Sequence, residues 1–105
     1  MSIYDSQVVV YVTYQGTPED RFDREHYNNV HLPLVIHSWG KYGLLNVTAF
    51  YPAREETGTV AVCECIFRDE AAMEAVFSSP EVPTVMADVP IFTDLTPVRV
   101  RAQLL

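Results

Sequence analysis

Gln7-Val8-Val9-Val10-Tyr11-Val12-Thr13-Tyr14 is the stretch on which the fold turns. β-Branched and aromatic side chains fill it, so residues 7–14 read as a strand. Alternate residues of a strand face opposite sides. Val8, Val10 and Val12 therefore share one face and Val9, Tyr11 and Thr13 the other, and both faces are largely apolar. Residues 59–67 (TVAVCECIF) repeat the property. Val60, Val62 and Ile66 oppose Ala61, Cys63, Cys65 and Phe67, and Glu64 is the lone charge. An antiparallel sheet with one solvated face alternates more cleanly than this. Both faces need cover. Helices cover one, and a second copy of the sheet covers the other, which predicts a homodimer with sheets packed face to face.

Working outward, residues 22–31 read as an amphipathic helix. Pro33 biases Leu32 away from helical geometry, so that helix is expected to end there. Residues 34–42 form a second helical segment stopped by Gly43, and residues 46–51 a strand. Residues 52–58 are polar and suit a hairpin. Asp69 caps a helix over residues 70–77, which Ser78-Ser79-Pro80 breaks. Residues 81–89 form another short helix, with Pro83 in its first turn. Residues 96–104 (TPVRVRAQL) close the order as a strand. The result is β-α-β-β-α-β, an α+β, ferredoxin-like arrangement: a four-stranded antiparallel sheet with its helices on one face.

The chain has 105 residues, enough for one domain spanning residues 1–105. A formal charge of −7 argues against nucleic acid or an anionic membrane surface as partner. No apolar run approaches the roughly 20 residues that span a bilayer. Met1-Ser2-Ile3-Tyr4-Asp5 lacks the basic and apolar regions of a secretion signal, so a cytoplasmic location is expected. Cys63 and Cys65 lie on one face of a strand with Cα atoms about 6.5–7 Å apart, at the far edge of disulfide reach. They read as buried, reduced thiols. No second Cys or His pair lies nearby to complete a metal site, so no metal is expected.

The residues able to do proton chemistry sit in Phe22-Asp23-Arg24-Glu25-His26-Tyr27-Asn28-Asn29-Val30-His31-Leu32-Pro33-Leu34-Val35. At 100° per residue, Phe22, His26, Tyr27, Val30 and Leu34 gather in one apolar arc. Arg24, Glu25 and Asn28 face elsewhere. His31 falls at the edge of the arc, one turn from Tyr27. The two are expected to meet as a hydrogen-bonded pair, an acid/base unit in a pocket. A histidine there also serves simply as a helix-end residue making one hydrogen bond. His37 lies beside Trp39, as pocket lining or core. The histidine spacings are not those of a helical metal-ligand pair, and no carboxylate is obviously placed to complete a site, although Asp23 and Glu25 are near. Tyr11, Phe50 and Phe67 are among aromatics able to line a cleft between sheet and helices, which would suit a flat apolar molecule.

The pattern Phe22-Asp23-x-x-x-Tyr27-x-x-x-His31-x-Pro33-Leu34-Val35 resembles the EthD family, named for a protein linked to ethyl tert-butyl ether degradation. A second match runs through Phe67, Ala72 and Phe77 to Asp88-Val89 and Phe92-Thr93-Asp94. The resemblance implies a dimeric α+β barrel with a pocket between sheet and helices. It makes His31 the leading pocket residue and Tyr27 its neighbour. His26 stands where the family often has a second aromatic. Relatives by fold include cofactor-free monooxygenases, muconolactone isomerases and haem-degrading proteins, and a shared fold transfers none of these activities by itself.

The reading that follows is cofactor-free acid/base chemistry of lyase, isomerase or cyclase type, with oxygenation as a variant, on an apolar or aromatic metabolite. His31 and Tyr27 would be catalytic, and His26, Tyr11, Trp39, Phe50 and Phe67 would bind the ligand. The rivals are a non-catalytic binding or accessory protein and a haem-binding barrel with His31 or His26 as axial ligand.

Overall fold

The computed structural model describes residues 6–103. The N-terminal residues 1–5, on which the secretion-signal reading rests, and the Leu104 end of the last expected strand lie outside them. Four strands are present: β1 (Val8–Gly16), β2 (Leu44–Phe50), β3 (Gly58–Phe67) and β4 (Val98–Ala102). They pair in the order β2-β3-β1-β4, every neighbour antiparallel. Placing β3 between β1 and β2 gives the split βαβ, ferredoxin-like arrangement that the element order implies.

The helical elements are α1 (Arg24–His26), α2 (Leu32–Trp39), α3 (Glu70–Phe77), α4 (Val82–Ala87) and α5 (Val89–Phe92). Asp23 starts α1 by accepting the His26 backbone N–H at 3.0 Å, while Phe22 instead bridges to Thr93. The expected break before Pro33 is absent. Tyr27–His31 forms a π turn, closed by the Leu32 N–H on the Tyr27 carbonyl, and the chain passes without interruption into α2. A proline inside an α-helix removes one hydrogen bond and crowds the preceding turn; here Pro33 follows the wider π turn after one residue, Leu32, in the first turn of α2. Gly43, at φ 109°, ends the helical run in the left-handed conformation open to glycine. Asp69 caps α3 through the Ala72 N–H at 2.8 Å. The expected helix over residues 81–89 is two helices, with Asp88 at the joint.

Register fixes the two faces of the sheet. Val10↔Cys65, Val12↔Cys63 and Tyr14↔Ala61 point toward the helices and join Phe67, Tyr27, Trp39 and Phe92 in the core. Val9, Tyr11 and Thr13 of β1, Val60, Val62 and Ile66 of β3, Phe50 of β2 and Val98 and Val100 of β4 make up the other face. None of these reaches full burial, and Phe50 and Val100 are 51 % and 50 % exposed. Val30 is exposed too, although a regular helix would put it in the apolar arc. The π turn breaks the 100° phase on which that arc depends.

Candidate functional site

Between sheet and helices lies a cavity of about 300 Å³, at the small end of ligand-site sizes. Its lining is overwhelmingly apolar and includes Val12, Val35, Trp39, Phe67, Phe77 and Val85. Tyr27, His31, Tyr14, Cys63, Cys65 and Arg99 supply its polar groups.

His31 reaches this cavity from the end of the π turn. Its ring stacks on Tyr27 (centroids 5.3 Å apart, 16° between planes) and packs at 4.7 Å from Phe92. Stacking displaces the hydrogen bond expected between Tyr27 and His31. The Tyr27 hydroxyl is instead directed toward Tyr14 and Cys63, deeper in the core. Burial holds the Tyr27 hydroxyl well above the usual tyrosine range, so it stays protonated.

The partner of His31 is Asp88, 57 residues away, whose Oδ2 lies 2.9 Å from Nδ1. His26 approaches the same carboxylate with Nε2, 3.0 Å from Oδ1 and 3.1 Å from Oδ2. Burial alone would raise the Asp88 carboxyl; the hydrogen bonds from His26 and His31 outweigh it and keep the group below its ordinary value. An ionised Asp88 only accepts, so the His31 proton sits on Nδ1 and Nε2 keeps its lone pair. Nε2 has no hydrogen-bond partner among the described residues. Burial lowers the His31 pKa below its ordinary 6.5, against the opposing pull of Asp88. The result is a neutral imidazole, fixed in tautomer and orientation, at the wall of an apolar cavity. Such a group has the chemistry to accept a proton.

Among the sequence candidates, Tyr27, His31, Trp39 and Phe67 come together at the cavity. Trp39 is held by Nε1–H donation to Ser79 Oγ at 3.1 Å. His26 supports Asp88 rather than the cavity wall. Tyr11 lies on the opposite sheet face and donates to Glu64 at 2.7 Å. Phe50 lies on that face as well, and His37 is exposed on α2. For Tyr11 and Phe50 the reason is strand parity, which composition does not reveal. Asp88 has no local signature in the sequence, because only tertiary packing brings α4 and α5 over the π turn. Its place in the second EthD-like match was the one signal available. Cys63 and Cys65 are free and buried, with sulfurs 3.9 Å apart. Among the described residues no group of three or more His, Cys, Asp or Glu side chains is arranged to hold a metal ion, and no helix is long and apolar enough to cross a membrane.

The EthD domain model matches residues 15–96, which include His26, Tyr27, His31 and Asp88. No curated protein sequence matches the chain. An EthD-like protein from Ralstonia eutropha JMP134 superposes with a TM-score of 0.81 at 22 % identity, over 93 % of this chain and 91 % of that one. An ethyl tert-butyl ether degradation family protein from Bacillus halodurans C-125 gives 0.66 at 21 %, over 91 % and 99 %. A variant of SnoaB, a cofactor-independent oxygenase from Streptomyces nogalater, gives 0.69 at 9 %, over 94 % and 93 %. At these identities the likeness is one of fold.

Proposed function

The chain belongs to the EthD domain family, and on that premise we propose that it binds a small apolar, ring-bearing metabolite and exchanges a proton with it through His31, without a cofactor. The observation that carries this reading is Asp88 seated on Nδ1 of His31, with Nε2 left over at an apolar cavity. In the reaction, Nε2 takes a proton from a carbon acidified by a neighbouring carbonyl. The imidazolium that forms lies against the Asp88 carboxylate, which stabilises it. The carbanion or enolate left behind is the common first intermediate of lyase, isomerase and cyclase reactions. An electron-rich carbanion can also react with molecular oxygen, and SnoaB, a cofactor-independent oxygenase, shares the fold. A positioned base contributes roughly 10²–10⁴ in rate.

The proposal extends to the assembly. The half-exposed valines and Phe50 on the helix-free face favour a homodimer through that face. A cytoplasmic location suits two free thiols.

The test is exchange of carbon-bound hydrogen for deuterium in D₂O across a panel of cyclic and aromatic ketones. Wild type should catalyse exchange in at least one compound, and His31→Gln should lose roughly 10²–10⁴-fold while keeping its circular dichroism spectrum. Ligand binding without exchange in either protein would mark a non-catalytic binding protein. A Soret band on adding haemin, lost in His31→Ala, would assign the site to haem.

A further inference from the structure

Among the described residues that line the cavity, one carries a permanent charge, the solvent-exposed Arg99. Arg99 lies on β4 opposite Val12 of β1, and both line the cavity. That register turns Arg99 toward the helix side of the sheet. Its neighbour on that side, Arg101, is paired with Glu70. The other arginine and lysine ion pairs among the described residues engage Arg21, Lys41 and Arg68 with Asp94, Glu81 and Asp69. Arg99 has no carboxylate partner among the described residues. Its guanidinium lies over the Phe77 ring, 4.1 Å from the centroid. Phe77 is itself held edge-on by Trp39 and Phe67, at 5.9 and 5.6 Å between centroids. The planar cation is therefore supported on a fixed aromatic wall, with its N–H edge left for another acceptor. Arg24 and Arg54 likewise form no ion pair among the described residues, but of these three arginines Arg99 alone lines the cavity, in a chain of net charge −7.

We propose that Arg99 selects the ligand's charge: the molecule bound in this cavity is a flat, ring-bearing carboxylate whose two oxygens meet the Arg99 guanidinium while its ring lies among the apolar walls. This deepens the reading of the cavity as the binding site and rests on it. Guanidinium and carboxylate match as a planar, two-bond pair, a geometry that a lysine cannot reproduce. The aromatic platform removes part of the side chain's freedom before the ligand arrives. The same charge raises the local concentration of anions at a protein that repels them overall.

The experiment compares 2-naphthoate with its neutral isostere 2-naphthamide by calorimetry. The imidazole signals of His31 are followed in parallel by ¹H–¹⁵N spectroscopy, to show whether the probe sits in the cavity. Wild type should bind naphthoate roughly five- to tenfold tighter than naphthamide, with the advantage shrinking as salt is raised. Arg99→Gln should erase the preference by weakening naphthoate alone, and Arg99→Lys should restore only part of it. Equal binding of the two probes by wild type, both shifting His31, overturns the carboxylate proposal and leaves the cavity as a site. A preference that survives in Arg99→Gln overturns it as well. If neither probe shifts His31, the cavity reading falls and this proposal with it.

Discussion

At the scale of single residues, the site depends on one carboxylate and one tautomer. Asp88 raises the His31 pKa through its hydrogen bond and charge, while burial lowers it by more. Asp88→Asn removes the opposing pull, so the His31 pKa should fall further below 6.5, read as a lower midpoint in an NMR titration. A base must be neutral, so on the proposed mechanism activity should fall as pH drops through the His31 pKa. The acid limb of kcat/KM should therefore move to lower pH in Asp88→Asn. The rate at neutral pH should also fall, by roughly 10²–10⁴, because an amide can hold the wrong tautomer. Stability follows the same signs. The folded His31 resists a proton that the unfolded chain accepts, so its contribution is complete above about pH 6.5 and declines below it. The Asp88 pKa is depressed in the fold, so its contribution is present above the ordinary carboxylate value of 3.8 and disappears as pH falls through the folded one. Tyr27 belongs to a different ledger. Tyr27→Phe keeps the ring on which His31 stacks and removes a buried polar hydroxyl that faces Tyr14 and Cys63. Denaturant titration should show a loss of about 0.5–1.5 kcal/mol, with turnover nearly unchanged.

At the scale of elements, the π turn Tyr27–His31 does the aiming. Its extra residue brings both Tyr27 and His31 inward and lets helical structure run on into Pro33. Deleting Asn29, an exposed member of the turn, should convert it to α-helical spacing. Helical content and thermal stability should persist, whereas the His31–Asp88 contact should be lost, which the His31 titration midpoint and the exchange rate would both report. Unchanged exchange would show that the turn is incidental to the site. The same elements show how far sequence reaches. The α3 span Glu70–Phe77 was readable to the residue because its Asp69 cap and its breaker at Ser78-Ser79-Pro80 are local signals. All four strands were legible from β-branched runs, with ends shifted by one or two residues. The π turn was not, since nothing local distinguishes an i→i+5 bond from an i→i+4 bond. Nor was the splitting of the helix over residues 81–89, whose joint at Asp88 matters because the π turn packs against it. Half of the site could be read from the His31 motif. The other half, Asp88, is a contact between segments with no local signature.

At the scale of the whole molecule, strand parity makes the dimer testable. Even-numbered residues of β1 face the helices, and odd-numbered ones face away. Val10 is 3 % exposed in the core, so Val10→Asp buries a charge without a partner and should unfold the protein or cost it several kcal/mol. Val9 lies between Ile66 of β3 and Ala102 of β4 on the helix-free face. Val9→Asp should leave the monomer folded, because its side chain points away from that core. The polar pair on the same face fits burial between two copies: the Tyr11 hydroxyl already donates to Glu64, so neither group enters the interface without a partner. A stable interface needs roughly 800 Å² from each copy, an area that a four-stranded sheet face is large enough to supply. Sedimentation should therefore find wild type dimeric at micromolar concentration and Val9→Asp monomeric or at least tenfold weaker in association, with unchanged circular dichroism. Because the cavity lies on the other side of the sheet, monomeric Val9→Asp should still bind a cavity probe and shift His31. A wild type that sediments as a monomer would refute the dimer while leaving the His31–Asp88 site intact.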